Sequence, residues 1–293
     1  MDRRARPTPA WAPTLVLGSI LSVQFGGALA VTLIPLAGVM GSVLLRLTLA
    51  AVILAVAVRP SWRGHRARDW WVVLWFGLSL AAMNSAFYGA VARLPMGVAV
   101  TLEFLGPLTL AAATSRSVRD LLAVALALAG VLLISGALWT PWTQLDLVGI
   151  GLALLAGAGW AMYILASGHT ARHFEGIDGV AWAMLIAAVL VTPWGLVDAG
   201  GRLLGGQVLG RGLGVALLSS VVPYSLENIA LRWIAPNVFG VLMSLEPAVA
   251  AMAGLVVLGQ RLVGTEWAGI ALVIAASIVI RVAIPGRRAL RSP

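Results

Sequence analysis

The sequence predicts an all-α integral membrane protein of ten transmembrane helices, arranged as two inverted five-helix repeats. Three observations predict it: an extreme apolar composition, ten apolar stretches separated by short polar breaks, and a weak correspondence between the two halves. Of 293 residues, 60% are hydrophobic and 11% are charged, and the mean hydropathy is +0.98. A soluble domain carries about 45–50% apolar and about 25% charged residues, so the composition argues against a water-soluble enzyme. Ten helices of about 20 residues need about 200 positions, which the chain supplies with short connections and two tails. Cysteine is absent, which excludes disulfides, thiolate metal sites and cysteine nucleophiles.

Taken in order, the apolar stretches fall at 11–30, 39–58, 70–91, 96–114, 121–139, 147–167, 179–197, 212–230, 236–258 and 265–283. Each is long enough to cross about 30 Å of hydrocarbon as a helix, which satisfies its own backbone hydrogen bonds. Val31 to Gly38 and Ala92 to Pro95 read as tight connections marked by Pro35 and Pro95. Arg3-Arg4 before the first stretch and Ala28-Leu29-Ala30 after it mimic a secretory signal and its cleavage site. The apolar run is longer than a signal's and nine further spans follow, so it reads as a retained first helix.

Every basic residue is arginine, twenty in all, and the arginines sort by loop. With the N-terminus inside, the cytoplasmic set is Arg3, Arg4 and Arg6; Arg59, Arg63, Arg66 and Arg68; Arg116 and Arg119; Arg172; Arg232; and Arg281, Arg287, Arg288 and Arg291. The outer set is Arg93, Arg202, Arg211 and Arg261, and Arg46 lies within a span. Fifteen against four is the positive-inside asymmetry, with both termini cytoplasmic. It accounts for the formal charge of +9 without nucleic acid, since no soluble domain is expected to present a basic face.

The halves, 11–139 and 147–283, correspond weakly. At an offset of 140, Ser85 meets Ser225, Ala90 meets Ala230, Leu102 meets Leu242, Leu105 meets Leu245, Pro107 meets Pro247 and Ala111 meets Ala251. After a short insertion, Ala125-Leu126 meets Ala271-Leu272 and Ile134 meets Ile280. Five helices per half is an odd number, so the second half enters the membrane from the opposite side. Many secondary transporters build alternating access around a midplane site from such an inverted repeat.

Four ionisable residues fall inside the spans: Arg46, Glu103, Glu227 and Glu246. A charge at the bilayer centre costs about 2.5–3.5 kcal/mol on insertion scales, so each is expected to face the bundle interior or a water-filled cavity. Arg46 is about 18 Å of helix from the inner end of its span, too far to snorkel inward. It reads either as a structural partner of a buried glutamate or as a bidentate clamp for a ligand carboxylate. Glu103 lies four residues before Pro107 and Glu246 one before Pro247. A proline there frees a carbonyl and suits a helix that lines a cavity. These carboxyls read either as groups satisfied by Arg46 or the opened backbone, or as carriers of a proton or partners of an ammonium group.

Glu227, about one turn from Arg232, reads as a solvated helix-end charge or as part of a polar cluster with Tyr224, Ser225 and Asn228. Gln24, Asn84, Tyr88, Trp160 and Tyr163 are the further candidates for lining a cavity, although most of the twelve Trp fit interfacial and packing roles.

No catalytic residue, metal site or cofactor is expected. His65, His169 and His173 fall in cytoplasmic loops, and Thr170 stands where a zincin motif has Glu. Gly149 and Gly151 lack the strand–turn–helix context of a nucleotide loop; close helix packing accounts better for the glycines.

Several stretches resemble the drug/metabolite transporter superfamily of EamA type, most closely its threonine/homoserine exporter branch. They are Leu102-Glu103-Phe104-Leu105-Gly106-Pro107-Leu108, Val222-Pro223-Tyr224-Ser225-Leu226-Glu227 and Leu242-Met243-Ser244-Leu245-Glu246-Pro247-Ala248. The segments 157–165 and 90–97 support the resemblance, which runs from Trp11 to about Val282. One departure is Leu258-Gly259-Gln260-Arg261, where the family usually has Gly-Glu. The resemblance implies two inverted bundles, a central cavity, and proton-driven export of small amino acids or related metabolites. On that reading Arg46 orients the substrate carboxylate, while Glu103 or Glu246 faces the ammonium group or exchanges the proton. Asn84, Tyr163, Tyr224 and Asn228 shape the cavity, and Glu227 is the remaining coupling candidate. The expected partners are the small-molecule substrate, protons and the lipid bilayer. A transporter of other metabolites or drugs, and a lipid-handling protein or scaffold, are the rival readings, because a fold hosts many functions.

Overall fold

The computed structural model describes residues 9, 11–94, 96–115, 117–135, 137–139, 141, 146–246, 248–249 and 263–282. Among these, regular structure is entirely helical. The helices are α1 (Ala12–Ala37), α2 (Val39–Val58), α3 (Ala67–Val91), α4 (Met96–Thr114), α5 (Val118–Ser135), α6 (Leu147–His173), α7 (Asp178–Ala199), α8 (Gly206–Ala216), α9 (Val222–Ala230), α10 (Pro236–Met243) and α11 (Gly264–Val282). Short 3₁₀ turns stand at Ala137–Trp139 and Gly200–Leu204, and a π turn at Leu217–Val221 joins α8 to α9. Among the described residues, six helical segments are long and apolar enough to cross a membrane, and Ala12–Gly27, Val98–Thr114 and Gly264–Val279 are shorter apolar helices.

The boundaries depart from the sequence reading in several places. The sixth helix, α6, runs on to His173, past 167, and the span expected at 236–258 is interrupted after Met243 by a turn at Ser244. The connection expected at Val31 to Gly38 is helix up to Ala37, with Pro35 inside its last turn, where the missing proline N–H costs only one hydrogen bond. Gly38 alone separates α1 from α2, at φ 78°, a conformation glycine adopts without strain. Its missing Cβ also leaves room for the Asp198 carboxylate, which accepts from the backbone N–H of Met40 (2.7 Å) and Gly41 (3.3 Å). An α7 side chain thereby satisfies free N–H groups at the start of α2. The fifth helix stops at Ser135, short of 139. The eighth span starts earlier, at Gly206, and is broken by the π turn. Pro95, Pro247, Arg116, Leu258 to Arg261, and the arginines before residue 9 or after residue 282 lie outside the described residues.

The helices pack chiefly as α3 on α6 and α7, α5 on α11, α2 on α7, α1 on α8 and α9, and α4 on α6 and α10. Where α4 crosses α6 the contact is backbone on backbone. A Cβ at Gly106 would run into the Gly157 carbonyl, and one at Gly157 into the Glu103 carbonyl. Small residues at helix crossings allow this approach inside a bilayer. Gly106→Leu is therefore expected to separate α4 from α6, at an overpacking cost of about 1–3 kcal/mol or more. Folded yield and melting temperature in detergent check this, with Gly27→Leu as the control, since no atom lies within 4 Å of a Cβ there.

The loops gather at two ends. At one, Ser61 N–H donates to Asp178 (3.0 Å), His65 stacks on Phe174 (4.0 Å between centroids) and the Arg232 guanidinium donates to the Gly176 carbonyl. At the other, Arg211 donates to the Thr32 carbonyl (2.8 Å) and Arg93 pairs with Asp146 (3.2 Å). Asp146 also caps α6, accepting from Val148 (2.7 Å) and Gly149 (3.2 Å). The backbone N–H groups of Gly149 and Val148, with Arg93 beside them, hold its carboxyl below the usual carboxylate range. The first of these ends carries the arginine-rich loops.

Candidate functional site

Pro223 shapes the centre of the bundle. It has no N–H, so it supplies no helical donor to the Ser219 carbonyl in an α register or to the Leu218 carbonyl in a π register. The chain passes this point in a π turn, a feature frequent at functional sites. Both carbonyls are taken by side chains from neighbouring helices. Ser22 Oγ of α1 donates to the Leu218 carbonyl (2.7 Å), and Arg46 Nη2 of α2 donates to the Ser219 carbonyl (2.5 Å).

Arg46 is held further by neutral oxygens. Its Nε donates to Ser220 Oγ (2.8 Å) and its Nη2 to Tyr224 Oη (3.3 Å), with the guanidinium carbon 5.9 Å from the Tyr224 ring centroid. Tyr224 Oη also accepts from Asn84 Nδ2 (3.4 Å), whose second acceptor is the Leu80 carbonyl (2.8 Å). The Tyr163 ring lies 5.3 Å from that of Tyr224, and its hydroxyl donates to Glu227 Oε2 (2.5 Å). Ser19 Oγ donates to Glu227 Oε1. Glu227 therefore joins α1, α6 and α9 in the interior, 3% exposed; it is not a solvated helix-end charge. Arg232 turns instead to the Gly176 carbonyl.

Glu103, 8% exposed, accepts no hydrogen bond among the described residues. It lies close enough to Arg46 and Glu246 for their charges to interact. Glu246 likewise senses Arg46 and Glu227 and is loosely held by Gln24 Nε2, 3.5 Å from its Oε1 and from its backbone carbonyl. The structure thus brings Arg46, Glu103, Glu227, Glu246, Asn84, Tyr163 and Tyr224 into one interior polar group, in which Arg46 and Glu246 are partly exposed and the others buried. Among the described residues no carboxylate comes within 4.0 Å of the Arg46 guanidinium, so no contact ion pair of Arg46 with a glutamate forms.

Asn228 is used differently. Its amide donates to the Ser167 carbonyl (3.0 Å), Ser167 Oγ (3.1 Å) and Thr170 Oγ1 (3.3 Å), which ties α9 to α6. Trp160 packs edge-on against Phe104, 4.8 Å between centroids, and so backs the helix that carries Glu103.

Ser19, Ser219 and Ser220 hold the charged groups and Ser22 satisfies the Leu218 carbonyl, and sequence reasoning missed them. The available signal was their position inside apolar spans, four residues before Pro223 in the case of Ser219. Away from this group, His169 and His173 stand in the last turns of α6 rather than in a loop, and Asp69 of α3 lies against them.

Residues 147–282 match the EamA-like transporter family. The threonine/homoserine exporter RhtA of Salmonella typhimurium (strain SL1344) is 42% identical over 280 residues, covering 95% of this chain and 94% of that protein. The exporter of the same name from Escherichia coli (strain K12) shows the same identity and coverage. The uncharacterized transporter YwfM of Bacillus subtilis (strain 168) is 30% identical over 164 residues, 55% of this chain and 54% of that one. A solved crystal structure superposes with a TM-score of 0.74 at 16% identity, over 93% of this chain and 98% of the other, so that fold is shared. The apolar helices and these relatives make the protein a multi-pass inner-membrane transporter and not an enzyme. The chain belongs to the EamA-type drug/metabolite transporters, within the RhtA branch of that superfamily.

Proposed function

We propose that the protein exports small neutral amino acids such as threonine and homoserine, coupled to proton entry. The observation that carries this reading is Arg46 inside the bundle, held among the described residues by neutral oxygens while three glutamates stand within electrostatic range. A zwitterion is complementary to that arrangement. Its carboxylate replaces the neutral acceptors on the guanidinium fork, and its ammonium group faces Glu103 or Glu246. Glu103 is the freest of the three carboxyls and Glu246 is loosely held, so these two exchange the proton, with Glu227 as the remaining intramembrane carboxyl. Asn84, Tyr163 and Tyr224 shape the site, and Asn228 fixes α9 on α6.

The interior position of this group fits an alternating-access cycle, in which an inverted repeat rocks about a fixed site. Two features support ten spans in inverted repeats at 11–139 and 147–283. The extensive contact of α3 with α6 is matched by that of α1 with α8 and α9, the pair obtained when the halves are exchanged. Asn84 and Tyr224, equivalent at the offset of 140, hydrogen-bond to each other, as residues beside a twofold axis do.

The arginine asymmetry orients the bundle with both termini cytoplasmic. Reporter fusions at Pro293 and in the Asp198 to Arg211 connection are expected to give opposite sidedness. The same sidedness at both refutes the ten-helix topology. Substrate class is tested by counterflow in proteoliposomes with a panel of labelled amino acids. Threonine and homoserine are expected to exchange, and exchange restricted to unrelated metabolites would overturn the assignment.

A further inference from the structure

We propose that Asp69, His169 and His173 form a binding site for a divalent transition-metal ion where α3 begins and α6 ends. One donor atom from each residue lies within 4.8 Å of the other two. The carboxylate is oriented: Asp69 Oδ2 accepts the Arg66 backbone N–H (3.1 Å), while Oδ1 lies 3.4 Å from His169 Nε2. The second imidazole is oriented as well. His173 Nδ1 is 2.9 Å from the His169 carbonyl, which assigns its proton to Nδ1 and leaves the Nε2 lone pair free. A ligating histidine with its other nitrogen bonded to a backbone carbonyl is the usual support for a metal. The two rings stand one helical turn apart and stack at 4.1 Å.

Three protein ligands leave a fourth position for water, the pattern of open zinc sites. Metal–donor bonds of about 2.0–2.1 Å place tetrahedral donors about 3.4 Å apart, so a separation of 4.8 Å closes by about 1.4 Å on binding. Rotation of the exposed His173 supplies that movement. The Asp69 and His169 side chains are 13% and 24% exposed, which leaves a path of entry. Two imidazoles favour zinc, cobalt, nickel or copper over magnesium and calcium, which prefer oxygen. Arg66, Arg68 and Arg172 nearby also disfavour an ion held by charge alone. Histidine spacing could not reveal the site, because the carboxylate comes from a position 100 residues away. An ion here staples α3 to α6, the helices that also carry Asn84 and Tyr163.

The test is isothermal titration of Zn²⁺ into the full chain, purified in detergent without a histidine tag, beside His173→Asn and Asp69→Asn. One Zn²⁺ per chain is expected, with at least about tenfold weaker binding in each variant, and no binding of Mg²⁺ at the same concentration. Zn²⁺ is also expected to raise the melting temperature of the parent protein but not of His173→Asn, whose exposed position leaves the fold intact. No Zn²⁺ binding, equal affinity in parent and His173→Asn, or equal binding of Mg²⁺ overturns the proposal.

Discussion

Glu103→Gln and Glu246→Gln are expected to leave substrate exchange partly intact while abolishing accumulation driven by a pH gradient. Glutamine keeps the shape and hydrogen bonding of glutamate but cannot titrate. Each proton coupled to transport supports up to about tenfold accumulation per pH unit, and a carrier that moves no proton brings substrate only to equal concentration on both sides. The variant that carries the coupling is therefore expected to drop to a ratio of about one. Glu103, which accepts no hydrogen bond among the described residues, should fold normally as Gln. Both variants still concentrating substrate would move the proton to Glu227, the remaining intramembrane carboxyl among the described residues, which accepts from Ser19 and Tyr163.

Arg46→Lys is expected to raise the half-saturating substrate concentration by about tenfold or more. A hydrogen bond to a charged group contributes about 1.5–3 kcal/mol, and a lysine ammonium cannot reproduce the guanidinium fork on a carboxylate. The same variant also loses bonds to Ser219, Ser220 and Tyr224, so its melting temperature must be measured alongside. A large loss of affinity in protein that remains folded places Arg46 on the substrate. A fall in folded yield with unchanged affinity assigns it to the architecture alone.

Much of this arrangement was legible in the chain. The apolar stretches located the described helices, because a bilayer imposes length and internal hydrogen bonding on each one. Ends such as those of α1 at Ala37 and α6 at His173 nevertheless lie six or seven residues beyond the apolar runs. The cost of charge in hydrocarbon marked Arg46, Glu103, Glu227 and Glu246 as interior groups. What a linear reading could not supply was the partner of each. Proline at 223 was visible, but not that Ser22 and Arg46 would take the Leu218 and Ser219 carbonyls before it. Glu227 and Asn228 are adjacent in sequence, yet helical rotation aims one at Ser19 and Tyr163 and the other at Ser167 and Thr170. Pro35 looked like a break, yet the helix runs through it for two more residues, to Ala37. Asp69 joins two histidines far along the chain only through the packing of α3 on α6.

The central claim, amino acid export coupled to protons, is tested most directly by labelled threonine entering proteoliposomes whose lumen is more acid than the bath. The account predicts accumulation above the bath concentration, collapsing when a protonophore dissipates the gradient. Threonine that exchanges across the membrane yet never exceeds the bath concentration while the gradient persists would contradict it.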